Sequence, residues 1–323
     1  MSETWNVLLP EQIDPSGPES ISDFAECTGM DEYDSVADAL DDIARYDAVI
    51  MRVAPIDEAV IDRAERLQVI SKHGAGLDSV DLGAASERGI VVCNTPGANA
   101  RSVAEHAVTL LRALRRNVRT ADRHVRDGSW DRSTFSGHEL TGDTLGLFGF
   151  GAIAREVSDL AHGTGQNVLT YDPYVPEDEV PARVTRVTEL RELFDRADAV
   201  SIHAPLTNET HHAVSAEELD ALGENGVLIN TSRGPVVDER ALLEALETGR
   251  VAGAGLDTFE EEPPGEDNPL YARDDVLLTP HVGGVTDQAL ARMSERAANN
   301  VRTVYEGGVP NSTVNREELE VDV

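Results

Sequence analysis

Leu145-Gly146-Leu147-Phe148-Gly149-Phe150-Gly151-Ala152-Ile153-Ala154 is the stretch from which the fold reads. The residues from Leu145 to Phe148 form a short apolar run, as a buried strand requires. The pattern G-x-G-x-x-G/A follows at Gly149, Gly151 and Ala154, and a helical run continues to Ala161. Strand, glycine turn and helix in that order build a dinucleotide-binding corner. Gly149 permits the tight turn, Gly151 lets the backbone approach a pyrophosphate, and Ala154 is small enough for helix and strand to pack. The helix start then faces the phosphates with unpaired N–H groups and a partial positive charge. A second strand, Asn167–Tyr171, ends at Asp172, 23 residues after Gly149. A carboxylate at that distance meets the ribose hydroxyls. Asp172-Pro173-Tyr174 has no arginine beside it, so NAD is favoured over NADP. Phe148 and Phe150 make the turn unusually aromatic, for which the sequence offers no reason.

Outward from this corner, short apolar runs alternate with amphipathic stretches. Further strands are predicted at Trp5–Leu9, Ala48–Arg52, Val69–His73, Ile90–Cys93, Thr144–Phe148, Ala199–His203, Val227–Asn230, Gly253–Asp257 and Val276–Leu278. Alternation of this kind implies an α/β fold with parallel sheets and helical crossovers. At 323 residues the chain is long enough for two domains. One helix is predicted from Ala100 to Arg126, opened by Ser102 and Glu105 as a capping box. Val103, Ala107, Leu110, Leu111, Leu114 and Val118 form its apolar stripe, and its other face carries Arg112, Arg115, Arg116, Arg119, Arg123 and Arg126. That face is the densest basic patch in the chain. It reads equally as a solvated face or as a seat for an acidic partner or anionic ligand.

Composition narrows the function. The formal net charge is −33, from 60 acidic against 27 basic residues, and Lys72 is the only lysine. Acid is spread through folded-looking sequence, from Asp38, Asp41 and Asp42 to Glu317-Glu318-Leu319-Glu320. Such a surface suits concentrated salt. At about 1 M the Debye length is about 3 Å, so self-repulsion is screened while the carboxylates keep water at the surface. It argues against a nucleic-acid partner, because phosphate binding needs basic patches. No run approaches the length of a membrane helix, and Met1 to Pro10 shows no signal peptide. Cys27 and Cys93 match no metal or redox spacing. A cytoplasmic protein without a bound metal is expected.

Three polar groups follow strand ends, where ligands of open parallel sheets sit. Arg233 lies in Thr231-Ser232-Arg233-Gly234, Glu262 just past Asp257-Thr258-Phe259, and His281 in Thr279-Pro280-His281-Val282-Gly283-Gly284. A guanidinium can hold a carboxylate and polarise a ketone. A histidine can give and take a proton near neutral pH, and a carboxylate behind it orients the ring and favours its charged form.

With those segments, Lys72-His73-Gly74-Ala75-Gly76-Leu77-Asp78, Asn94-Thr95-Pro96-Gly97, Gly137-His138-Glu139-Leu140 and His203-Ala204-Pro205-Leu206-Thr207, the chain resembles the D-isomer-specific 2-hydroxyacid dehydrogenases over nearly its whole length. The resemblance implies two Rossmann-like, doubly wound parallel-sheet domains. The first, residues 1–98 with 283–323, would bind substrate; the second, residues 99–282, would bind NAD. It implies Arg233 as substrate-binding, His281 as acid/base and Glu262 as its support. The backbone of Gly74, Ala75 and Gly76 would hold the substrate carboxylate. Ala152, Ile153, Asp172, Ala204, Thr231, Ser232, Arg233, Asp257, His281, Gly283 and Gly284 would line the cofactor site. A homodimer is implied, with the long helix in its interface. Within the family the likeness to phosphoglycerate dehydrogenases, without a regulatory domain, makes Arg52 and Arg132 candidate phosphate ligands. Glyoxylate, hydroxypyruvate or another 2-oxo acid stays open as substrate. A non-catalytic NAD sensor would not need Arg233, Glu262 and His281 together, and a formate dehydrogenase would carry glutamine at Glu262.

Overall fold

A computed structural model describes residues 4–319, so Glu320 of the acidic tail and the first three residues lie outside the described residues. The chain divides into two compact units, Met1–Asn99 with Val285–Val323, and Ala100–Gly284.

The first unit is built on β1 (Trp5–Leu8), β2 (Ala25–Thr28), β3 (Ala48–Met51), β4 (Val69–Lys72) and β5 (Val91–Cys93). They form one parallel sheet in the order β2-β1-β3-β4-β5. In β3 every residue is buried, because successive side chains enter opposite cores. Val49 and Met51 pack with Leu40, Ile43 and Ile61 on one face. Ala48 and Ile50 pack with Ala297 and Val301 on the other. The latter two come from the helix Asp287–Tyr305, capped by Thr286 and supplied by the C-terminal segment. Lys72 is buried at the end of β4.

The second unit holds β6 (Thr144–Phe148), β7 (Asn167–Tyr171), β8 (Val184–Arg186), β9 (Ala199–Ile202), β10 (Val227–Asn230), β11 (Gly253–Leu256) and β12 (Val276–Leu278). All are parallel, in the order β12-β11-β10-β9-β6-β7-β8. The order reverses beside β6, and such a switch point opens a crevice at the carboxyl ends of the strands. Leu145 and Leu147 join a core with the helices Ala100–Arg115 and Ala152–His162. Phe148, Val200 and Ile202 join a second core on the opposite face. Phe150, unexplained in the sequence, is fully buried, with the Arg155 guanidinium 4.9 Å from its ring centre.

Three sequence expectations are corrected. Strands β2 and β8 were not anticipated, because edge strands can carry polar residues such as Glu26 and Thr185 and so lack an apolar run. The long helix is two helices, Ala100–Arg115 and Val118–Arg126, broken where Asn117 takes a left-handed backbone with φ 52°. Ser102 is buried inside the first turn rather than capping it, and Val118, beyond the break, is exposed. The arginine row is not a uniform solvated face. Arg115 is buried, donating to the carbonyls of Asn225 and Asp198 before β10 and β9. Arg119 donates to the carbonyl of Arg273 at 3.0 Å, and Arg123 pairs with Asp274. These side chains fasten the helix pair to the amino ends of the strands.

Candidate active site

The glycine corner forms at the carboxyl end of β6. Gly149 has φ 89°, and a Cβ there would lie 2.8 Å from the amide nitrogen of Ala204, beyond β9. Only glycine allows that turn and that approach. The helix Ala152–His162 begins after Gly151 without a side-chain cap. A Cβ at Gly151 would meet nothing within 4 Å. The helix amides at Ala152 and Ile153 therefore open onto free space, as an anionic group requires. Thr231 Oγ1, at the end of β10, is buried without a protein partner, a hydroxyl that a ligand can satisfy. Ser232 Oγ donates to the carbonyl of Ala204, joining the ends of β9 and β10. These features fit a bound dinucleotide.

Asp172 closes the corner. Its Oδ2 accepts the Phe150 N–H at 2.8 Å, and its Oδ1 accepts the Tyr174 N–H at 2.9 Å. The expectation that no arginine stands beside it holds in sequence but not in space. Arg186 of β8 places Nη2 3.2 Å from the Asp172 carbonyl oxygen.

The three polar groups come together within the second unit. His281 Nδ1 lies 2.8 Å from Glu262 Oε2, leaving Nε2 as the free ring nitrogen. Glu262 Oε1 accepts the Phe259 N–H at 3.1 Å, which fixes the carboxylate. That hydrogen bond with Glu262 raises the His281 imidazole above its ordinary value in spite of burial, helped by the charges of Glu262 and Asp257 and opposed by Arg233. Burial pushes the Glu262 carboxyl up, but the bonds from His281 and Phe259, with the charges of His281 and Arg233, hold it below its ordinary value. His203, also at a strand end, is pushed down to about 3 by burial and stays neutral, so it is no rival as proton donor.

The backbone serves this pair. His281 has φ 52°, a strained conformation for a residue with a Cβ. Asp257 maintains it. Its carbonyl accepts the His281 N–H at 2.9 Å, and its carboxylate accepts Val282 N–H at 2.9 Å and Gly283 N–H at 2.8 Å. Thr279 Oγ1 donates to the same carboxylate at 2.6 Å, and His106 Nε2 lies 3.3 Å from it. Burial raises the Asp257 carboxyl, but these bonds outweigh burial and keep it ionised. His106 and Thr279 escaped the sequence reading, since neither stands out by spacing. Gly284 ends the second unit just beyond this turn.

Arg233 precedes Gly234, where an added Cβ would fall 1.8 Å from the Phe259 carbonyl carbon. The arginine loop and the Glu262 loop thus touch backbone to backbone. Beside the pair a cavity of about 560 Å³ is walled by Phe259, Pro263, Tyr271, Leu278 and Pro280. Arg132 sits on an exposed turn of the same unit.

Arg52 and residues 74–76 belong to the first unit. Arg52 follows β3, with its amide on Glu11 Oε2 at 2.6 Å. The Gly74 N–H is bonded to Thr95 Oγ1 at 2.9 Å, so a carboxylate recognised there would depend on the Ala75 and Gly76 amides. Cys27 and Cys93 are free thiols, both raised by burial, Cys27 to about 11. Among the described residues no cluster of side chains suits a metal ion, and no helix is long and apolar enough to cross a membrane.

Residues 108–283 match the model of the D-isomer specific 2-hydroxyacid dehydrogenase, NAD binding domain. The chain is 38% identical to the D-3-phosphoglycerate dehydrogenase of Methanocaldococcus jannaschii, over 92% of this chain and 56% of that protein. It is 39% identical to the glyoxylate reductase of Korarchaeum cryptofilum, over 83% of this chain and 82% of that one. It thus spans little more than half the length of the phosphoglycerate dehydrogenases it matches. Its fold superposes on the TT0316 protein of Thermus thermophilus with a TM-score of 0.87 at 35% identity, covering 96% of this chain and 99% of that one.

Proposed function

The chain belongs to the D-isomer-specific 2-hydroxyacid dehydrogenase family, with an NAD-binding domain, and from that premise we propose that it interconverts a D-2-hydroxyacid and its 2-oxo acid. The observation that carries this reading is the contact between His281 Nδ1 and Glu262 Oε2 at 2.8 Å, in the same unit as the open glycine corner. NAD, when bound, supplies the hydride acceptor or, reduced, the donor. The chain's residues handle the rest. In reduction His281 donates from Nε2 to the forming alkoxide, while Arg233 holds the substrate carboxylate and stabilises the developing charge. Glu262 orients the ring and balances the imidazolium. In oxidation His281 starts neutral and takes the hydroxyl proton. Gly149, Gly151, Ala152 and Ile153 would hold the pyrophosphate of NAD, and Asp172 its ribose.

The substrate is a small 2-oxo acid. Relatives named for phosphoglycerate and for glyoxylate are almost equally similar. Phosphohydroxypyruvate would call on Arg52 and Arg132 for its phosphate; glyoxylate or hydroxypyruvate would need neither. We further propose a cytoplasmic, salt-adapted homodimer. Residues 116–144 include no buried residue and present Trp130 76% exposed, as an arm covered by a second copy would.

The test is NADH oxidation in about 2 M KCl, where charges are screened, across 2-oxo acids that include 3-phosphohydroxypyruvate. Turnover should fall about 10²–10⁴-fold in His281→Ala while NADH still binds. Full turnover in that variant would overturn the acid/base role. A preference for the phosphorylated acid would assign Arg52 and Arg132 to its phosphate.

A further inference from the structure

The segment that carries Glu262 is gripped from two directions. Gly234 presses on Phe259 from the arginine loop. From the other, Glu239 Oε1 accepts the Glu260 N–H at 2.6 Å. Glu239 opens the helix Glu239–Glu247, whose cap is Asp238, accepting the Ala241 N–H at 2.9 Å. The helix end is thus served by Asp238, and the Glu239 carboxylate reaches to a separate loop. The Asn268 side chain also bonds to it.

This tie has an electrostatic cost. Glu239, Glu260 and Glu262 form a group of three carboxylates. The opposing charges are Arg233, His281 on Glu262 and, when protonated, His212 on Glu260. Asp257 adds a further negative charge that acts on His281. Burial, then the charges of Glu260 and Glu262, push the Glu239 carboxyl above its ordinary value. A hydrogen-bond acceptor alone could be an uncharged amide, without that repulsion. A glutamate here therefore points to a use for its charge.

We propose that Glu239 is a positioning residue for the acid–base pair: its hydrogen bond fixes the Glu260–Glu262 segment, and its negative charge adds to the field that keeps a proton on His281. This rests on reading His281 as the acid. In Glu239→Gln the amide oxygen still accepts the Glu260 N–H, so the loop stays in place and only the charge goes. Glu239→Ala removes both.

The experiment titrates His281 by NMR in uniformly histidine-labelled full-length protein, with His281→Asn identifying its signal. The midpoint should move to lower pH by roughly 0.3 unit or more in Glu239→Gln, in the direction that loss of a nearby anion requires. The kcat of that variant should stay within about threefold of the parent, and Glu239→Ala should lose about tenfold with little change in KM, as misplacement of a catalytic pair does. An unmoved His281 midpoint in Glu239→Gln overturns the proposal even if Glu239→Ala fails to fold. The titration needs no substrate. Absence of turnover in the parent protein would therefore sink the dehydrogenase reading while leaving the Glu239 result readable.

Discussion

At the scale of residues, the proton chemistry rests on one contact and on what holds it. Glu262 raises His281, so the protonated acid persists to higher pH than a free imidazole would. Reduction needs that protonated form and declines as pH rises through its folded value; oxidation needs the neutral form and rises over the same range. In Glu262→Gln the anion is gone, so both limbs should shift to lower pH by about one unit. Profiles of kcat/KM in both directions across the neutral range would show this, and unmoved limbs would contradict the role given to Glu262. Much of this site was legible in the sequence. Arg233, Glu262 and His281 each follow a strand, and strand ends are where an open sheet binds. Arg186 beside Asp172 was not legible, because β8 brings it there through lateral strand pairing. Glu239, His106 and Thr279 were hidden too, since they act through backbone amides and a buried carboxylate.

At the scale of elements, the glycine corner identified its own strand and helix, and short apolar runs between amphipathic stretches identified most of the other strands. Hydrophobic pattern fails where an element is at an edge, as with β2 and β8, or where one residue alters the backbone, as Asn117 does. It also fails to tell an arginine facing water from one facing carbonyl oxygens. Arg115 is the clearest case: its guanidinium caps two strand-entry loops from inside the unit. Arg115→Ala should cost about 1–3 kcal/mol, because it removes a buried side chain together with its two hydrogen bonds to the Asn225 and Asp198 carbonyls. Urea unfolding would measure this; a change below about 0.5 kcal/mol would mean that water replaces the guanidinium there.

At the scale of the whole molecule, 60 acidic side chains cannot find partners among 27 basic ones. Many surface arginines are paired, such as Arg88 with Asp62 and Arg302 with Asp23, so the remaining acid is left to repel itself. Raising KCl from about 0.1 M to about 2 M shortens the Debye length several-fold and should raise the melting temperature by roughly 10 °C or more. A melting temperature independent of salt would contradict the adaptation proposed. The family resemblance places the return to the first domain at residue 283, the compact units divide after Gly284, and no local pattern in the sequence marks the place. The use of arginine for nearly every cation has a practical sequel. Lys72, the only lysine, is buried in β4. Amine-reactive dyes and resins should therefore find no side chain to attack on the folded protein, and a single lysine introduced on the surface would become a unique handle for attaching the enzyme to a support or a probe.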